Sequence, residues 1–158
     1  MPIKKNKQDA AVVKELKDLS KIVYDTSSKL QRKMYGVKKF TDKCAIWEER
    51  TTDGITENRV IELYIINTKI DEFPESIGQL SELELLSCYG AFSENLSPTQ
   101  IPSSIVGLRK LKSFFLSKQY GKVEIDFTDA FEKLSQLPLL VNLDIRDFSI
   151  KEVPETLS

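Results

Sequence analysis

Residues 60–82 read VIELYIINTKIDEFPESIGQLSE, and the same pattern returns three times further along the chain. Val60, Leu63 and Ile65 set a short apolar run, Ile70 and Phe73 follow it, and Ile77 and Leu80 come after Pro74, with Gly78 as punctuation. A second copy opens at Leu83, carries Leu86 and Cys88 in the places of Leu63 and Ile65, and regains the pattern at Ile101, Pro102, Ile105 and Leu108 after an extra AFSENLSPTQ segment. A third opens at Leu111 with Phe114 and Leu116, wanders through GKVEIDFTDAF and recovers at Leu134 and Leu137. The fourth, through Leu140, Leu143, Ile145, Ile150, Val153, Pro154 and Leu157, repeats the first closely. Self-similarity at a period of roughly two dozen residues marks a stacked array, in which no single coil buries its own apolar face.

The spacing within each copy predicts the shape of a coil. Anchors at the first, fourth and sixth places suit a strand of about three to five residues, whose inward side chains lie one coil away from their equivalents, so that successive strands pair in parallel. Proline donates no ladder hydrogen bond and fixes its own φ, so it starts the return leg. The Ile and Leu three and six places later turn inward as one helical face would.

These residues, with the proline-centred matches EFPESI, QIPSSI and EVPETL, resemble the leucine-rich repeat family in the form LxxLxLxxNxLxxLPxxIgxLxx, over about Val60 to Ser158. The resemblance implies an α/β fold: a short, degenerate, right-handed solenoid of about four repeats with parallel strands. The family's Asn is replaced by Thr68, Ala91, Gln119 and Phe148, while Asn67 and Asp147 stand one place earlier. The resemblance also implies a non-enzymatic protein-interaction module that presents its concave strand face. Carried over residue by residue, the outward places are Glu62, Tyr64 and Ile66; Leu85, Ser87 and Tyr89; Ser113, Phe115 and Ser117; and Asn142, Asp144 and Arg146. Among them Tyr64, Leu85, Tyr89 and Phe115 form the expected partner-binding cluster, rimmed by Glu62, Asp144 and Arg146.

Working outward, residues 44–59 predict a cap. A strand around Ala45 to Arg50, the turn signal Thr52-Asp53-Gly54 and the first repeat strand suit a hairpin, with Trp47 over the first coil. Residues 1–43 form a basic arm in which Val12, Leu16, Leu19 and Val23, continuing weakly through Leu30 and Met34, fall on one helical stripe. Ser27 and Ser28 interrupt that stripe and Gly36 suits a helix end, so one helix or two fit the pattern. The expected division is an arm over 1–43 and a repeat domain over 44–158, with repeats starting near 60, 83, 111 and 140. At the far end no amphipathic cap follows Leu157. Three readings stay open: cover by another chain, a second copy forming a homodimer included; a fragment of a longer protein; or a last coil sufficient in itself. Asp144, Arg146 and Asp147 are charges of the kind that discourage edge pairing.

Composition narrows the chemistry. The chain of 158 residues is 41% hydrophobic and 30% charged, the balance of one soluble globular domain. It carries no apolar run long enough to span a membrane and no secretory signal, so a cytoplasmic protein is expected. With 0 His, triads that use an imidazole base are excluded, and the 2 Cys argue against a zinc site within the chain. Cys44 and Cys88 read as free thiols. The glycines are dispersed rather than gathered into a phosphate loop, and carboxylate pairs such as Glu48 with Glu49 read as solvated charges. No enzyme activity, cofactor or metal is therefore expected. Charge is divided: residues 1–43 hold 12 basic against 5 acidic groups, a balance of +7, and residues 44–158 hold 11 against 19, a balance of −8. Nucleic-acid binding by the arm is a minor reading, since no aromatic interleaving or Arg-rich run supports it.

Overall fold

The structure, a computed structural model, describes residues 2–19, 44–66, 73–89, 101–117, 124–125 and 127–150; for Ile66, Tyr89, Glu124, Ile125, Ser149 and Ile150 the description stops at the backbone. The repeat anchors do what their spacing predicts. Val60, Leu63, Ile65, Leu83, Leu86, Cys88 and Leu111 are 0% exposed, and Phe114 and Leu116 1%. They sit on β2 (Ile55–Ile66), β3 (Leu85–Tyr89) and β4 (Ser113–Ser117), or just before β3 and β4. Together with β1 (Ala45–Thr52) and β6 (Asn142–Arg146) these strands make a five-stranded sheet in the order β1-β2-β3-β4-β6. From β2 onward all pairing is parallel and in register: Leu63 faces Leu86, Leu86 faces Phe114, and Phe114 faces Leu143. Each anchor thus stacks on its equivalent one coil away.

The return legs form a second layer. Pro74 and Pro102 lead into 3-10 helices at Glu75–Gln79 and Ser103–Gly107, closed by bonds such as Ile77 N to Pro74 O and Ile105 N to Pro102 O. The inward helical face expected from the sequence is therefore a tighter 3-10 turn in these two coils. Gly78 and Gly107 are what lets the turns stack, because a Cβ on Gly78 would lie 2.1 Å from the Ser104 carbonyl oxygen and one on Gly107 2.5 Å from that of Gly78. The third coil differs. Its irregular stretch contains a short strand, β5 (Glu124–Ile125), paired in parallel with β7 (Ser149–Ile150), and an α-helix, α2 (Thr128–Leu134). That segment supplies Phe127, Ala130 and Phe131 to the core alongside the expected Leu134 and Leu137. Phe127 meets Phe131 at 5.5 Å and Phe148 edge-on at 5.4 Å.

The first strand corrects an expectation. β2 is 12 residues long rather than three to five, because the second arm of the hairpin and the first repeat strand are one continuous strand. The hairpin closes through Asp53 (φ 53°) and Gly54 (φ 77°), between the pair Thr52 and Ile55. Positive φ at both positions of a two-residue loop is the geometry that Asp-Gly favours. Trp47 packs against the core opposite Val60, with the Lys5 ammonium 4.4 Å from its ring centroid.

The arm lies over the same end. Asn6 caps α1 (Lys7–Leu19), its Oδ1 accepting from the amides of Gln8 and Asp9 at 3.0 Å. Val12 and Leu16 of the expected stripe are buried, and so is Val13; Val23, Leu30 and Met34 lie outside the described residues, as does the boundary near residue 43. Asp9, which the sequence reading did not single out, is 0% exposed. It accepts from Arg59 Nε at 2.9 Å, Arg59 Nη2 at 3.0 Å and the Val60 amide at 2.9 Å. Three acceptor contacts satisfy the carboxylate where no water reaches it, and they fasten α1 to the first coil. The second layer is joined in sequence. Ser76 donates to Glu15, the amides of Ser103 and Ser104 to Glu75, and Lys133 to the Ile101 carbonyl.

At the opposite edge Leu140, Leu143 and Ile145 are half-buried, and Leu139 and Val141 are 47% and 77% exposed. Val153, Pro154 and Leu157 lie outside the described residues. Among the described residues no helix is long and apolar enough to cross a membrane.

Candidate functional site: the outward face of the parallel strands

Alternation along each strand aims the anchors into the core and the residues between them outward. Register then sorts the outward residues into rows. Glu62, Leu85, Ser113 and Asn142 form the first; Tyr64, Ser87, Phe115 and Asp144 the second; Ile66, Tyr89, Ser117 and Arg146 the third. Neighbouring strands lie about 4.8 Å apart, so the second row spans roughly 14 Å. Six of the seven sequence-derived residues, Glu62, Tyr64, Leu85, Phe115, Asp144 and Arg146, take these positions, and Tyr89 is placed in its row by backbone register alone. They do not form one apolar cluster: Tyr64 and Phe115 share a row with Ser87 between them, Leu85 sits one row away beside Glu62, and the Tyr89 side chain lies outside the description. Tyr64, Leu85 and Phe115 are half-buried rather than exposed.

Each end of the face carries a carboxylate bonded to a residue of its own strand. Tyr64 Oη donates to Glu62 at 2.5 Å, and this bond to the carboxylate pushes the phenol pKa up to about 12. Asp144 is gripped by both sides of the Arg146 fork, Nε to Oδ1 at 2.8 Å and Nη2 to Oδ2 at 2.6 Å, which holds its carboxyl below the usual aspartate range. Between Phe115 and this ion pair lies a pocket of about 250 Å³, lined by Ser87, Cys88, Phe115, Leu116, Ser117, Asp144 and Arg146. Ser117, outward by its position in the strand, is only 5% exposed, and its hydroxyl donates to Asp147 at 2.9 Å. Asp147 reaches it from a left-handed turn (φ 66°) directly after β6.

Sequence reading missed the pocket, which is lined by small Ser87 beside Phe115 on the adjacent strand and by Ser117 two places along the same strand. The row alignment places those serines but not the depth they leave. It also missed a charge ladder beside the face: Glu84 is shared between Lys112 at 2.6 Å and Arg50 at 3.1 Å, and Lys110 reaches Glu82 at 2.6 Å. Lys112 holds the Glu84 carboxyl below its ordinary range. Cys88 is buried, which pushes its thiol pKa up and away from nucleophilic use.

No protein-family model matches the chain, and no curated protein does. Among solved structures the chain is similar to the LRR ectodomain of the receptor kinase SOBIR1 from Arabidopsis thaliana, with a TM-score of 0.58 and 17% sequence identity over 94% of this chain and 71% of that one. The mixed α/β architecture, with its five-stranded sheet, is thus leucine-rich-repeat-like.

Proposed function

We propose that this protein is a non-enzymatic interaction module that presents the outward face of β2, β3, β4 and β6 to a protein partner. The observation that carries the reading is the second row: Phe115 and the pocket beside it, held on strands whose inward side chains are packed. A face fixed before binding loses little conformational entropy when it binds. The solenoid is taken as right-handed, the hand that parallel crossovers adopt.

The test is a pull-down with wild type, with a Tyr64→Ala, Tyr89→Ala, Phe115→Ala triple variant, and with Glu132→Ala at an exposed position of α2. Proteins retained by wild type and Glu132→Ala but lost by the triple variant are the expected result. Equal recovery by all three moves the binding face elsewhere.

A second reading, self-association through the last coil, is favoured by exposed Leu139 and Val141. It predicts a dimer by analytical ultracentrifugation that Val141→Asp dissociates and the triple variant does not.

A further inference from the structure

We propose that the pocket between Phe115 and Asp144 anchors one lysine or arginine side chain of an extended protein segment lying across the strand face. The proposal rests on the reading of that face as a partner-binding surface and specifies its chemistry. Size comes first. At about 250 Å³ the pocket falls below the range of small-molecule sites, roughly 300 to 1,000 Å³, and is scaled to a single long side chain.

Polarity follows from what each lining group has left to offer. Asp144 accepts two hydrogen bonds from Arg146, while a carboxylate has about four lone-pair positions. Its spare capacity is for donors. The Phe115 ring offers a π face of negative quadrupole, which attracts a cation. The Ser87 hydroxyl accepts as readily as it donates. A cationic side chain is the one kind of group that satisfies both the carboxylate and the ring, with its alkyl stem against the apolar wall. An acidic side chain would meet Asp144, the less exposed member of the pair at 30%, whereas Arg146 at 70% keeps most of its charge in solvent, where it is screened.

The surroundings agree in sign. Glu62 stands at the other end of the face beside Tyr64. The described outward positions of the strands thus hold two carboxylates, Glu62 and Asp144, against one guanidinium, Arg146.

The probe is a set of blocked amino acids, N-acetyl-arginine methylamide, N-acetyl-norleucine methylamide and N-acetyl-glutamate methylamide, titrated into the full chain and followed by amide NMR shifts. The arginine derivative is expected to shift Ser87, Phe115, Ser117 and Asp144 saturably and to bind about tenfold more tightly than norleucine. The glutamate derivative is expected to leave them in place. Asp144→Asn, on a part-exposed side chain, removes most of the difference between arginine and norleucine; Phe115→Ala weakens both. Equal affinity for norleucine and arginine, or shifts that fall elsewhere, overturns the proposal. So does self-association of the free chain that Asp144→Asn relieves, since the occupant would then be a second copy. If the arginine probe fails while the triple variant still loses its partners in the pull-down, the binding face stands and only its chemistry falls. If both fail, the face itself is misplaced.

Discussion

At the β1–β2 end of the ladder Val60, Leu63 and Ile65 are 0% exposed beneath a hairpin and α1, whereas at the β6 end the equivalent Leu140, Leu143 and Ile145 are half-buried and Val141 is 77% exposed. The anchors themselves are alike in size and spacing. What differs is the material laid over them. The first coil is covered by Trp47, Val12, Val13 and Leu16 and tied down by the Asp9–Arg59 pair, while the described part of the last coil meets β4 on one side and Phe148 near α2. Full burial of a Val, Leu or Ile side chain contributes about 1.5 to 3 kcal/mol, so identical letters contribute differently according to their neighbours. In a stacked array the stability of an end coil is set by its cover.

That contrast can be broken by substitution, with the largest effect at the covered end. Leu63→Ala leaves a cavity between β1 and β3 and is expected to cost about 4 kcal/mol by urea denaturation, against about 1 kcal/mol for Leu143→Ala. Similar losses at the two sites would erase the difference between the ends. Asp9→Ala leaves Arg59 and the Val60 amide without their acceptor and is expected to cost about 3 kcal/mol; Asp9→Asn, which keeps an acceptor, should cost less. Gly78→Ala drives a Cβ into the Ser104 carbonyl, so the coils must part, at a cost of about 2 kcal/mol. Val141→Ser touches little and should stay within about 0.5 kcal/mol.

The smallest expected effect is on pH. Glu75, bonded to the amides of Ser104 and Ser103, Glu84, bonded to Lys112, and Asp144, bonded to Arg146, all have depressed pKa values in the folded chain. A depressed carboxyl contributes stability that is present above its unfolded pKa and is lost as pH falls through its folded value. The urea midpoint should therefore hold as pH falls toward the ordinary glutamate value of 4.5 and decline below it. Glu75→Gln should flatten part of that decline. A midpoint that rises on acidification would reverse the sign of these interactions.

Much of the sheet was legible, because a repeat reports its inward positions by recurrence: the anchors from Val60 to Leu116 are buried and paired as their spacing requires. Recurrence says nothing where it lapses. The GKVEIDFTDAF stretch has no counterpart in the other copies, so α2 and the β5–β7 pair, which depend on Phe127 finding Phe131 and Phe148, could not be read from it. Asp9 was hidden for another reason, since its partner lies 50 residues away and a charged residue on an amphipathic helix usually faces water. For the strand face, the rows followed from the alignment, but the depth of each residue did not. The difference between a patch of aromatics and a pocket beside one ring is decided by serines that carry no pattern of their own.

The central claim is that parallel coils stack in register, firmly held at the first strands and less so at the last. Native-state hydrogen exchange across the strands tests it directly. The amides of Leu63, Ile65, Leu86, Cys88, Phe114 and Leu116 should exchange slowest and as one group, with those of Leu143 and Ile145 opening earlier. Slowest exchange in β6, with β2 and β3 opening first, would contradict it.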